Sequence, residues 1–311
     1  MAIAALAASC IKNEAGSWDN SISFAPVASK ATRGIIEGTT YPTTENFAVS
    51  AYHNGTDAYF EELTASYSSS LSLWATDEDQ FWPLDGSLSF IAYSPASAAA
   101  EINDSGVAAT SYTIQTAAQM ATDFCYASAT VADCSAHPEY VSLDFSHALS
   151  QIVFRAKAAE YYSTGDNTVS LTLNALSLGG IYSKGDFASE AWTNQNSEYN
   201  YPLSNTDTPL TYDGSNKPQA ADICSFLFIP QTLGPNASIY VTFSIVQNTG
   251  SEYTLKNPPV EVPLSTGSVT EWLPGKKYIY TLNIGMDKTI KISADAVGWT
   301  ERPYEIIVEE N

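Results

Sequence analysis

The sequence predicts an all-β protein built from two antiparallel β-sandwich domains, and three observations carry that expectation. Among its 311 residues, Tyr 19, Phe 12 and Trp 6 accompany much Ser, Thr and Val, a composition that suits strands better than helices. From residue 45 onward, short segments alternate apolar and polar residues with period two. Turn residues punctuate them at Asn54-Gly55, Asp85-Gly86, Thr164-Gly165-Asp166, Asp213-Gly214 and Leu233-Gly234-Pro235. No long helical period appears.

Composition narrows the function classes as well. Hydrophobic residues make up 44% and charged residues 15%, so a substantial core can be buried. Thirteen Lys+Arg face 34 Asp+Glu, for a net charge of −21 at pH 7. A surface so acidic repels phosphate backbones and anionic headgroups, which argues against nucleic-acid binding and against a basic membrane patch.

The chain begins MAIAALAASC, too short an apolar run to span a membrane. Leu6-Ala7-Ala8-Ser9-Cys10 resembles a bacterial lipobox, in which cleavage precedes the Cys and that Cys carries the lipid. No Lys or Arg precedes Cys10. Residues 11–20 are polar and read as a tether. Next comes a short apolar segment with Ile22, Phe24 and, beyond Pro26, Val27.

The strands follow in order. Phe47, Val49 and Ala51 share one face, as do Leu71 with Leu73, and Leu88 with Phe90 and Ala92. Residues 94–110 are Ala-rich and patternless, and read as a surface loop. Val141, Leu143, Phe145 and Leu149 occupy odd positions whereas Ile152 and Phe154 occupy even ones. That phase slip demands a bulge or break around His147–Gln151. Farther on, Val169, Leu171 and Leu173 align, then Ile239, Val241, Phe243 and Ile245, then Tyr278, Tyr280, Leu282 and Ile284. At the end, Tyr304, Ile306 and Val308 alternate before an acidic terminus. Pro138 biases His137 to extended geometry and a new strand pattern follows it. The expected organisation is therefore 1–33 as leader, tether and cleavable segment, 34–137 as one domain and 138–311 as the second.

Candidate chemistry is sparse. G-x-S-x-G, H-E-x-x-H, the P-loop and G-x-G-x-x-G are all missing from the sequence, and His53, His137 and His147 share no ligand spacing. Asp77-Glu78-Asp79 lacks the ligand alternation and central Gly of a calcium loop and reads as a solvated turn. We therefore expect neither catalysis nor a cofactor. Cys125 and Cys134 enclose eight residues, and the spacing leaves open either a hairpin-like disulfide or two unpaired thiols. Cys224 reads as a small hydrophobe in an apolar strand. Three arginines are present: Arg155 within a strand pattern, Arg302 before Pro303, and Arg33 in an open Ser/Thr/Gly context before Gly34. Exposed, small-residue segments are where proteolytic nicking concentrates.

Together these residues resemble the fimbrillin family, pilus subunits exported as lipoproteins by Bacteroidia-type bacteria. The resemblance rests on Leu143–Leu149 running into Ile152-Val153-Phe154, on Leu227–Leu233, on Trp272–Tyr280 and on Val297-Gly298-Trp299, in that order and behind a lipobox. It implies two transthyretin-like Greek-key sandwiches and an outer-membrane lipoprotein precursor. An Arg-specific protease then removes an N-terminal segment, and the groove it vacates takes a strand from a neighbouring subunit in an extracellular fimbrium. Mapped residue by residue, Cys10 is the lipidated position and Arg33-Gly34 the scissile pair. The departing strand holds Ile22, Phe24 and Val27, and the donor holds Tyr304, Ile306 and Val308. The implied partners are other fimbrial subunits, the protease and, before cleavage, the outer membrane. A surface-anchored glycan-binding lipoprotein is the alternative, with Trp74, Trp82 and Trp192 as stacking faces.

Overall fold

The computed structural model describes residues 20–28, 41–165, 167–265 and 268–299, and every structural statement concerns those residues. The expected lipidation, cleavage and donor positions (Cys10, Arg33, Gly34, Tyr304, Ile306 and Val308) lie outside them.

The first strands are β1 (Phe24–Ala28), β2 (Phe47–His53), β3 (Asp57–Ser68), β4 (Leu73–Thr76) and β5 (Leu88–Ser94). After a hairpin, β6 (Glu101–Asn103) with β7 (Gly106–Thr113), come the one-turn helix α1 (Ala117–Met120), β8 (Cys125–Val131) and β9 (Val141–His147). Seven of these strands close into a barrel in the order β1-β4-β3-β2-β5-β8-β9. Two separate sheets were expected here. The ring closes because β1 pairs on both sides, antiparallel with β4 at Phe24↔Trp74 and parallel with β9 from Phe24↔Val141 to Ala28↔Phe145.

Period-two patterning explains the barrel wall. Phe47, Val49 and Ala51 on β2, and Leu88, Phe90 and Ala92 on β5, are buried in the barrel core. Their neighbours Ala48, Tyr52, Ile91 and Tyr93 are buried on the opposite face, in a second core. Those two strands thus serve as the wall between the cores. Asn54 and Gly55, at φ 52° and 96°, make the left-handed turn between β2 and β3 that their sequence announces. On β4 the expected face is reversed. Trp74 and Thr76 are buried while Leu71 is 52% exposed, because the Trp74 ring packs on Tyr41 and Tyr67 and its indole N–H donates to Glu45 O at 3.1 Å.

The remaining strands are β10 (Ser150–Ala158), β11 (Thr168–Ala188), β12 (Ala191–Ser204), β13 (Thr208–Leu210), β14 (Ala221–Phe228) and β15 (Gln231–Thr232). They continue with β16 (Ser238–Asn248), β17 (Glu252–Lys256), β18 (Val260–Pro263), β19 (Glu271–Trp272), β20 (Lys276–Ile284) and β21 (Ile290–Gly298). A four-stranded sheet, β14-β10-β20-β21, faces an eight-stranded one along β17-β16-β11-β7-β6, in which β12 and β13 also pair with β11 and β18 with β16. One core joins them, with Ile152, Phe154, Tyr280 and Leu282 from the small sheet and Leu171, Leu173, Val241 and Phe243 from the large. Pairing is not wholly antiparallel as expected, since β10 runs parallel to β20.

One correction concerns the approach to the seam, and the expected break marks the seam itself. Residues 94–110, expected as a loop, include β6 and most of β7. The inward residues of β7 are Val107 and Ala109, too small for the alternation to stand out, and Ala109 pairs with Phe187 of β11. The phase slip is a change of sheet: β9 ends at His147, Ala148 and Leu149 carry the slip, and β10 opens the second sheet at Ser150. The strand after Pro138 still belongs to the barrel, so the change of sheet lies beyond the 137/138 boundary read from the sequence. Val141, Leu143 and Phe145 present an inner face that matches the barrel core.

Candidate functional site

The site that the topology singles out is the seat of β1. Ile22 and Phe24 are buried in the barrel core, and Pro26 takes the third inward position. Val27 points outward, 42% exposed, because the side-chain period of two puts it opposite Phe24 and Pro26. The Phe24 ring meets the rings of Phe47 and Phe90 edge-on, each at 5.7 Å. Tyr41 lies close by, 5.3 Å from Phe145 and 5.9 Å from Phe47, with its hydroxyl donating to Asn46 O at 3.0 Å. Backbone bonds complete the seat. Ile22 N–H donates to Gln80 O at 2.6 Å, Trp82 N–H to Asn20 O at 3.0 Å, and Val141 N–H to Ser23 O at 2.8 Å.

Burying Ile22 and Phe24 contributes about 1.5–3 kcal/mol each before ordering costs. Without β1, β4 and β9 would be open edges flanking an apolar slot with alternate pockets. That combination is what a foreign strand recognises, through main-chain bonds for affinity and alternate side chains for register.

The other sequence candidates fall elsewhere. Cys125 and Cys134 are both buried and unpaired, so the disulfide alternative is corrected. The residues between them are not a turn. Cys125 opens β8 and Cys134 follows its end, and a seven-residue strand carries the chain about 20 Å. Trp74 and Trp82 are buried, Trp82 stacking on His137 at 4.8 Å, and the half-buried Trp192 packs on Phe187 with its N–H donating to Ala148 O at 2.6 Å. These indoles are packing elements, which removes the aromatic platform of the glycan-binding alternative. Asp77, Glu78 and Asp79 are exposed, as expected of a turn.

Sequence reasoning missed one buried polar group. His147 Nδ1 lies 2.6 Å from Asp123 Oδ2 and 3.5 Å from Cys125 Sγ, and its ring stacks flat on Trp299 at 3.7 Å. The signal was the register of two strands, Cys125↔His147, which no linear spacing reveals. The three ligand-type atoms lie within 4.8 Å of one another. Burial, and then the Asp123 charge, push the Cys125 thiol well above its usual range, so it stays protonated and unreactive. The 2.6 Å contact between His147 and Asp123 is a short hydrogen bond. As arranged, the group ties α1's exit, β8 and β9 together beneath Trp299.

Comparison with known proteins completes the picture. The fimbrillin-like family profile matches residues 32–299. Among curated proteins none matches the chain. Among solved structures, a candidate cell adhesion protein of Bacteroides uniformis aligns with a TM-score of 0.51 at 12% identity, covering 90% of this chain and 98% of that one. A similar candidate adhesion protein of Bacteroides ovatus aligns at 0.47 and 16% identity, covering 91% and 98%. The fimbrial anchor protein Mfa2 of Porphyromonas gingivalis aligns at 0.34 and 11%, covering 90% and 97%. With its profile matched across most of its length, this chain belongs to the fimbrillin-like family and so to the fimbrial proteins of the bacterial cell surface.

Proposed function

We propose that the chain is a structural fimbrial subunit that polymerises by strand exchange after proteolysis. The observation that carries this reading is β1: five residues close the barrel, and their removal would leave a ready-made slot. Arg33, five positions beyond Ala28, is close enough in sequence for a single cut to separate β1 from the body. In this reading Cys10 anchors the precursor to the outer membrane through its lipid. An Arg-specific protease cuts Arg33-Gly34, and Ile22 and Phe24 leave with the released segment. Tyr304, Ile306 and Val308 of a neighbouring subunit then enter the slot. Three donor side chains buried at about 1.5–3 kcal/mol each supply about 5–9 kcal/mol before ordering costs. Donor and slot are different surfaces, so the contact is head-to-tail and propagates as an extracellular filament. The two halves are then the family's two transthyretin-like Greek-key units, and the protein supports adhesion as a building block rather than as an enzyme.

The test is filament formation, scored by electron microscopy after Arg-specific proteolysis. Wild-type protein should polymerise, Arg33→Ala should remain a stable monomer, and deletion of residues 303–311 should leave cleavage intact but stop donation. Polymers of equal length from Arg33→Ala, with no other cut detected by mass spectrometry, would end this reading. Cys10→Ala should leave folded protein out of the membrane fraction.

A further inference from the structure

The buried polar group at the end of β9 plays no part in strand exchange. Cys125 opens β8, His147 ends β9, and the register Cys125↔His147 sets them opposite one another in an antiparallel pair. Directly opposed side chains share a face of the sheet. Asp123 stands two residues before Cys125, on the run into the strand. All three are buried, and their ligand-type atoms lie within 4.8 Å of one another. Trp299 covers the imidazole, ring on ring at 3.7 Å and 6° from parallel.

The set matches a nucleophilic triad in composition but not in geometry. Cys125 Sγ at 3.5 Å and Asp123 Oδ2 at 2.6 Å meet the same ring nitrogen, Nδ1, whereas a Cys–His–Asp relay needs a partner on each nitrogen. Three donors converging on one point suit a cation instead. Around a tetrahedral zinc ion, sulfur and nitrogen ligands at about 2.3 and 2.0 Å stand roughly 3.5 Å apart, which is the Sγ–Nδ1 separation. Oxygen and nitrogen ligands stand about 3.3 Å apart, so Asp123 would retreat by about 0.7 Å once the shared proton is gone. It lies in the connection between α1 and β8, where such a shift breaks no strand pairing. Its other oxygen, Oδ1, is buried with no hydrogen-bond partner among the described residues. Charge agrees with geometry. From Gly34 to Phe154 the sequence has no Lys or Arg, so no such side chain on a barrel strand offsets the buried carboxylate.

We propose that Asp123, Cys125 and His147 bind one divalent transition-metal ion, zinc by ligand type, with water in the fourth position. Binding exchanges the Cys125 thiol proton for the ion and moves the imidazole proton from Nδ1 to Nε2. One proton therefore leaves per ion, and thiolate, carboxylate and Zn2+ sum to zero charge. Without the ion the thiol stays protonated, and a bound cation inverts that preference. The ion would pin β8 to β9 beneath Trp299, whatever joins one subunit to the next.

Co2+, a spectroscopic stand-in for Zn2+, tests this. Full-length protein stripped with a chelator is titrated with Co2+, and a second sample is refolded from urea in its presence so that burial cannot exclude the ion. Expected are about one ion per chain, about one proton released per ion, and a thiolate-to-cobalt charge-transfer band that Zn2+ abolishes. Cys125→Ser should lose the band. Cys10→Ser, Cys134→Ser and Cys224→Ser together leave Cys125 as the only thiol, and that variant should keep it. Folded protein, verified by circular dichroism, that shows no band after refolding with Co2+ would overturn the proposal. So would uptake of Co2+ without a thiolate band, which would assign the ion to surface carboxylates. A band that survives Cys125→Ser, or that the folded single-thiol variant lacks, would place the ion elsewhere and overturn it equally.

Discussion

In the sandwich half, β11 runs for 21 residues, with β16 and then β7 along one edge and β13 and then β12 along the other. In the barrel half, the closing strand has five residues, a five-position pairing with β9 and a single paired position on β4. Both halves bury phenylalanine fully, Phe243 on β16 and Phe24 on β1. Side-chain burial therefore does not separate them, but the number of backbone links does. A strand tied along both edges over its length leaves only with its sheet, whereas a short closing strand can leave alone. The same apolar chemistry thus gives a permanent core in one half and a replaceable one in the other.

The largest expected effect tests that contrast directly. Phe24→Ala and Phe243→Ala should each destabilise the uncut protein by about 3–5 kcal/mol, measured by urea unfolding. After cleavage and loss of the N-terminal segment, the Phe24→Ala penalty should vanish while that of Phe243→Ala persists. Equal penalties in the cut protein would mean that β1 does not leave.

Alkaline pH should sharpen the contrast from the other side. Burial raises the phenols of Tyr201 and Tyr280 in the sandwich above the usual 10.0 and pushes the Cys224 thiol up to about 12. All three stay neutral in the folded state and ionise on unfolding, so the unfolded chain holds fewer protons at high pH. Their contribution is intact below about pH 9 and is lost progressively above it, at up to about 1.4 kcal/mol per pH unit for each group. Urea midpoints taken from pH 8 to 11 should fall, with Tyr280→Phe flattening the slope. An unchanged slope in that variant would remove the phenol from the account.

The thiols then report each half separately. Cys125 and Cys134 sit in the barrel core and Cys224 on β14. Release of β1 should speed alkylation of the first two by roughly ten-fold or more through local opening, and leave Cys224 unchanged. Denatured protein, without reductant, should show all three as free thiols.

How much of this was legible follows from side-chain size and chain distance. Strands with large alternating residues, such as Ile239–Ile245 and Tyr278–Ile284, could be read directly because burial repeats every second residue. The strand β7 could not, because its inward residues are Val107 and Ala109. The phase slip at His147–Gln151 was visible, yet the sequence alone could not say that it marks a change of sheet. The apolar character of Ile22 and Phe24 was readable, but their closing role depends on pairing with β9, which lies more than a hundred residues away. Cys125 and Cys134 were misleading because their separation was counted in residues, while an extended strand lies between them. Asp123 and His147 meet only through the register of β8 and β9.

The smallest expected effect concerns the joint between the halves. Thr116 caps α1 by accepting from Gln119 N–H at 3.2 Å, and Gln119 Oε1 accepts from Thr116 N–H at 3.0 Å. This reciprocal box satisfies two donors that a one-turn helix would otherwise leave open. Met120 at the end of the helix and Asp123 and Phe124 past it are buried, and Asp123 holds His147. Thr116→Ala should therefore cost about 0.5–2 kcal/mol, a modest loss placed where it loosens the support of His147 and hence of Trp299. If α1 positions the joint, the variant should raise hydrogen exchange at residues 123–125 and 147–149 while leaving β16 protected. A stability loss of that size with exchange unchanged at both segments would make the helix a local turn with no hold on either half.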